Sequence, residues 1–91
     1  MTDSNKTAKA DSLNVKFLTY DLGLASSLIS LGYTLYKVDR IELKRCQFIF
    51  DRDEHIDKMV SDYWDDKLIL PARTLLENQK MLKNRLYSVI E

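Results

Sequence analysis

The chain has 91 residues, with 45% apolar and 31% charged side chains, enough for one small domain with its own core. Its formal net charge is zero, which argues against strong non-specific binding to nucleic acid or to an anionic membrane. A single cysteine, Cys46, excludes an internal disulfide and fits a reducing compartment; no apolar run has membrane-spanning length or the form of a signal peptide, so a cytoplasmic protein without membrane contact is expected.

Residues 1–14 are polar, of mixed charge and without period, and are expected to form a disordered tail before one compact domain over 15–91. A short strand is predicted at Val15 to Leu18, with Val15 and Phe17 on one face. A helix follows, capped at its start by Thr19 or Asp21 and stopped by Gly32. Leu22, Leu24, Ala25, Leu28, Ile29 and Leu31 fill about half of its circumference at 100° per residue. The other half is Gly23, Ser26, Ser27 and Ser30, without a charge or a large side chain. Such a face is either an ordinary solvated one or a contact surface, because small residues allow another backbone to approach and hydroxyls both donate and accept.

Tyr33 to Val38 and Cys46 to Phe50 read as two further strands, rich in aromatic and β-branched residues. The latter is apolar on both faces and is therefore expected at the centre of the sheet. The charged stretch Asp39 to Arg45 is either a long connection or an extension of the hairpin beyond the domain body. Asp51 to Asp66 holds seven acidic residues against Arg52 and Lys58. Asp51 or Asp53 can cap a helix whose apolar positions are Ile56, Met59, Val60 and Tyr63, closed by Trp64. Pro71 suits the first turn of a last helix, from about Ala72 to Val89. Leu75, Leu76, Gln79, Leu82, Leu86, Val89 and Ile90 are expected to face inward, and Thr74, Asn78, Met81 and Arg85 outward. The expected fold is α+β, in the order β-α-β-β-α-α. It comprises a small three-stranded mixed sheet with the third strand in the middle, packed by one helix, and two C-terminal helices.

The runs F-L-T-Y-D-L-G-L-A-S, F-I-F-D, D-Y-W and A-R-T-L-L-E-N-Q-K-M-L-K-N-R-L-Y-S resemble a small bacterial domain family of unknown function over about Phe17 to Ser88. The family is associated with uncultured lineages and mobile elements. The resemblance implies a stand-alone compact domain and brings no catalytic residues with it.

The residues themselves identify no catalytic site, metal site or cofactor. His55 is the only histidine, Cys46 reads as a buried inert thiol, and Gly23 and Gly32 cannot form a phosphate-binding loop. Two basic features remain: Arg40, Lys44 and Arg45 around the hairpin, and Arg73, Lys80, Lys83 and Arg85 on the last helix. The simplest reading of the last helix is that it pairs with the acidic helix, inside one copy or between copies. The expected function is a non-enzymatic protein-interaction module, self-association included. Ser26, Ser27, Ser30, Arg40, Lys44, Arg45, Arg73, Lys80, Met81 and Arg85 are its candidate contact residues. The alternative is a nucleic-acid-binding accessory using the basic hairpin and last helix, with only weak binding expected because the acidic block opposes phosphate.

Overall fold

The computed structural model describes residues 15–42 and 45–90, with side chains through 88. The expected tail at 1–14 and Lys44 lie outside these residues. The elements are β1 (Lys16–Thr19), α1 (Leu22–Ser30), β2 (Leu35–Glu42), β3 (Arg45–Asp51), α2 (Ile56–Trp64) and α3 (Ala72–Ile90). The fold is α+β, in the expected order, with β3 between β1 and β2. Both ladders are antiparallel, so the sheet is antiparallel rather than mixed. The outer strands β1 and β2 run parallel to each other but do not pair.

The ends of α1 are made as its sequence dictates. The Asp21 carboxylate accepts from the Leu24 N–H at 2.8 Å, and Thr19 Oγ1 accepts from the Asp21 N–H at 3.1 Å. At the other end Gly32 has φ +103°, the left-handed region. The Tyr33 N–H then returns to the Leu28 carbonyl and the Gly32 N–H to that of Ile29, so the last turn's carbonyls are satisfied. Of the charged stretch, Asp39 to Glu42 continue β2 and Arg45 begins β3. Register shifts interrupt β2 between Leu35 and Lys37 and between Arg40 and Glu42.

Alternation sorts the sheet into two faces. In register, Phe17, Phe50 and Leu35 form one row and Thr19, Phe48 and Val38 the next. This face meets Leu24, Ala25 and Leu28 of α1, with Ile56 of α2 and Leu82 of α3 completing the core. Leu18, Tyr20, Tyr36 and Ile49 lie on the opposite face, which no described helix covers.

The serine face of α1 is mostly buried within the chain. Ser26 and Ser27 are 0% and 2% exposed, because α3 packs against this side of α1. Helix α1 is thus enclosed between the sheet and α3. The hydroxyls of Ser26, Ser27 and Ser30 donate to the carbonyls of Leu22, Gly23 and Ser26 within the helix, leaving no buried hydroxyl unpaired. Asn78 Nδ2 also donates to Ser30 Oγ at 2.9 Å. Asn78, expected to face outward, therefore faces inward, whereas Leu76, expected inward, is exposed. The inward stripe of α3 is the buried Leu82 with the half-buried Leu75, Asn78, Gln79 and Leu86, rotated from the purely apolar one because its partner helix presents hydroxyls.

Candidate functional site

Among the described residues the cysteine and the histidine lie on separate elements, Cys46 in β3 and His55 at the N-cap of α2. Cys46 is buried with a free thiol. The His55 imidazole stands 3.4 Å from Glu54 at the surface. No three potential metal ligands among the described residues come together.

A small pocket of about 230 Å3 is lined by Leu31, Gly32, Tyr33, Asp53, His55 and Met59. Here Tyr33 Oη donates to Asp53 Oδ1 at 2.8 Å, and the same oxygen accepts from the His55 N–H at 2.9 Å. Burial pushes the Tyr33 hydroxyl up to about 12, helped by the hydrogen bond to Asp53 and by its negative charge. Burial alone would raise the Asp53 carboxyl too. The hydrogen bonds from Tyr33 and the His55 N–H, the nearby His55 and the Ile56 N–H outweigh it, and Asp53 lies below its usual range. A hydroxyl moved upward is a poorer base or nucleophile at neutral pH. The cluster works instead as a tie between the chain entering β2 and the start of α2. The raised Tyr33 pKa means that the folded state holds this proton more tightly than the unfolded chain, whose tyrosine titrates near 10. The stabilisation is complete below that pH and lost as pH rises from about 10 to about 12. The melting temperature of Tyr33→Phe should accordingly fall less steeply over that window than that of the parent chain.

The larger concavity is a cleft of about 540 Å3 where α2 turns into α3, lined by Ser27, Tyr63, Trp64, Asp66, Leu68, Leu70, Ala72 and Leu75. Tyr63 fixes its wall: its hydroxyl lies 3.3 Å from Asp21 Oδ1, and its ring meets Trp64 edge-on at 4.9 Å. Gly23 is required beneath it, since a Cβ there would overlap the Tyr63 hydroxyl. Asp66, with φ 62°, makes the reversal that sends the chain from α2 around the cleft. Trp64 is 60% exposed and Ile69 91%. Farther along α3, Leu76 and Tyr87 are 62% and 63% exposed.

The candidate contact residues do not converge on one surface. Ser26 and Ser27 are interior; Ser30 is half-buried and bonded to Asn78. Arg40 stands opposite Cys46 in register, and the Arg45 guanidinium lies 3.9 Å from the centre of the Tyr20 ring. On the same open sheet face Lys16 lies 4.3 Å from the Tyr36 ring centre and 2.7 Å from Asp51. On α3, Arg73 pairs with Glu77 at 3.1 Å. Lys80, Met81 and Arg85 are exposed. Neither Lys80, Lys83 nor Arg85 makes an ion pair among the described residues, so the basic helix is not neutralised by the acidic one within the chain. The acids of α2 are served locally, Asp57 by Arg52 and Asp62 by Lys58. Sequence reasoning missed the cleft; its signal was the apolar run Leu68-Ile69-Leu70 between Trp64 and Pro71.

This is a small α+β domain in which one nearly enclosed helix lies under an antiparallel sheet. The chain belongs to the family described as "Domain of unknown function (DUF5659)", whose model matches residues 14–88. No curated protein and no solved structure matches the chain. No helix among the described residues is long and apolar enough to cross a membrane.

Proposed function

We propose that the domain is a non-enzymatic protein-interaction module of the bacterial cytoplasm, and that its contact surface is the cleft between α2 and α3 with the adjoining exposed side of α3. The observation that carries this reading is a cleft lined by Trp64, Leu68, Leu70, Ala72 and Leu75, with Trp64 itself exposed and with two more exposed apolar side chains, Ile69 and Leu76, next in sequence to its lining residues. A contiguous exposed apolar patch beside a pocket is characteristic of interaction sites, and tryptophan is prominent among interface anchors. The test is affinity capture from the native host with the tagged full-length chain, after nuclease treatment. A Trp64→Ala/Ile69→Ser variant with an unchanged circular dichroism spectrum should lose the protein captured by the parent. Capture of the same proteins by both chains would reject the cleft as the contact surface.

A nucleic-acid accessory, of a mobile element for instance, is favoured by one different observation. Tyr20 and Tyr36 lie on the open sheet face, each with a cation against its ring. Lys16, the cation beside Tyr36, is held by Asp51, however, and Lys37 of β2 lies 3.4 Å from Asp39, so part of the positive charge of this sheet is already compensated. Binding to labelled oligonucleotides is expected to be weak at physiological salt, about 10⁻⁴ to 10⁻⁶ M. Submicromolar affinity by fluorescence anisotropy, lost on changing Arg40, Lys44, Arg45, Arg73 and Lys80 to glutamine, would make nucleic acid the partner instead.

A further inference from the structure

From the continuity of the cleft with the outer side of α3, and from the charges left over at its two ends, we infer that the partner of this surface is a second copy of the chain. The inference rests on the reading of the cleft as an interaction surface. Ala72, at the lip of the cleft, lies within about 60° of Leu76, Lys83 and Tyr87 around α3, so the four form one stripe. All four are exposed. Along the axis, Ala72 and Tyr87 are about 22 Å apart at 1.5 Å per residue.

The acidic groups without an ion pair lie at one end of this stripe and the basic ones mostly toward the other. Asp65 and Asp66, followed by Lys67, stand at the turn before α3, with Lys80 at the middle of α3 and Lys83 in its C-terminal half; none of the five makes an ion pair among the described residues. A parallel arrangement would set like charges together. An antiparallel, two-fold arrangement centred between Gln79 and Lys80 brings Lys83 toward the acidic pair and leaves Lys80 at the axis opposite the other copy's Gln79. It sets Tyr87 of each copy at the lip of the other's cleft, beside Ala72. It lays the Lys83 stem along the other's Leu76, with the ammonium directed to the acidic turn. Each contact then occurs twice, as a two-fold interface requires. Tyr87 supplies an aromatic body for the apolar cleft and a hydroxyl for its polar rim.

Light scattering and sedimentation equilibrium on the full 91-residue chain test this directly. The mass should approach twice the 10.7 kDa of one chain as concentration rises, and dimerisation should weaken with salt. Lys83→Glu and Asp65→Lys/Asp66→Asn should each raise the dissociation constant about tenfold or more, since each sets like charges together twice. Asparagine keeps the left-handed residue at position 66. Mixed together, these two variants should form a heterodimer with affinity near that of the parent, because every reversed charge meets its opposite. A misfolded variant could not be rescued in this way. Tyr87→Ser, at an exposed position, should also weaken the dimer. A chain that remains monomeric at about 10⁻⁴ M overturns the inference. So does a dimer insensitive to these changes and abolished by Tyr20→Ser/Tyr36→Ser on the open sheet face. A monomeric parent that still captures another protein through Trp64 and Ile69 leaves the interaction reading standing and removes only the self-association.

Discussion

Replacing Phe48 with alanine should lower the unfolding free energy by about 3–5 kcal/mol, most of the roughly 5 kcal/mol expected for a domain of this size. Phe48 is 1% exposed and occupies the middle of the central strand, between Thr19 and Val38 in register. It lies in the core with Leu24 and Leu28 of α1. Truncation removes apolar contact and leaves a cavity that two ladders and a helix on the same side hold open. Urea titration or a thermal melt would measure the loss. Tyr36→Ala, on the uncovered face of the same sheet, provides the comparison and should cost far less. Similar melting temperatures for the two variants would contradict the assignment of inner and outer faces.

Ser27→Leu should also be damaging, for the opposite reason. Ser27 is buried where α3 crosses α1, and its hydroxyl already returns to the Gly23 carbonyl at 2.9 Å. A leucine there crowds α3 or has to turn into the cleft that Ser27 lines, at about 1–3 kcal/mol, and it also loses the tight approach along α1. Ser27→Ala keeps the volume small and removes a bond internal to the helix, so a change below about 1 kcal/mol is expected. A large loss on Ser27→Leu with little change on Ser27→Ala would identify the site as limited by space rather than by polarity. Equal losses would refute that account.

Much of the fold is written locally. Asp21 and Gly32 bound α1, period-two alternation separates Phe48 from Ile49, and the apolar positions from Ile56 to Tyr63 mark α2. These features depend on neighbours within a few positions, which a single sequence displays. The serine face was misjudged because hydrophobic periodicity reports polarity, and polarity was equated with exposure. Where two helices meet through hydroxyls and an amide, that equation fails. The same error rotated α3, placing Leu76 inward and Asn78 outward although Asn78 bonds to Ser30. The cleft depends on how α2, the turn and α3 meet in space, and the spacing of residues along the chain does not encode that meeting.

The enclosure of α1 also bears on how the protein is made. The sheet side of α1 can be covered once β3 has left the ribosome, but its serine side must wait for α3. The polar bond that joins them links Ser30 to a residue 48 positions later. During synthesis the segment from Leu24 to Leu28 is therefore half dressed until α3 follows. Cooperative closure comes only once α3 has emerged. Once closed, amide protons in the middle of α1 should be among the slowest in the molecule to exchange, since freeing them requires undoing the sheet contact and the last helix together.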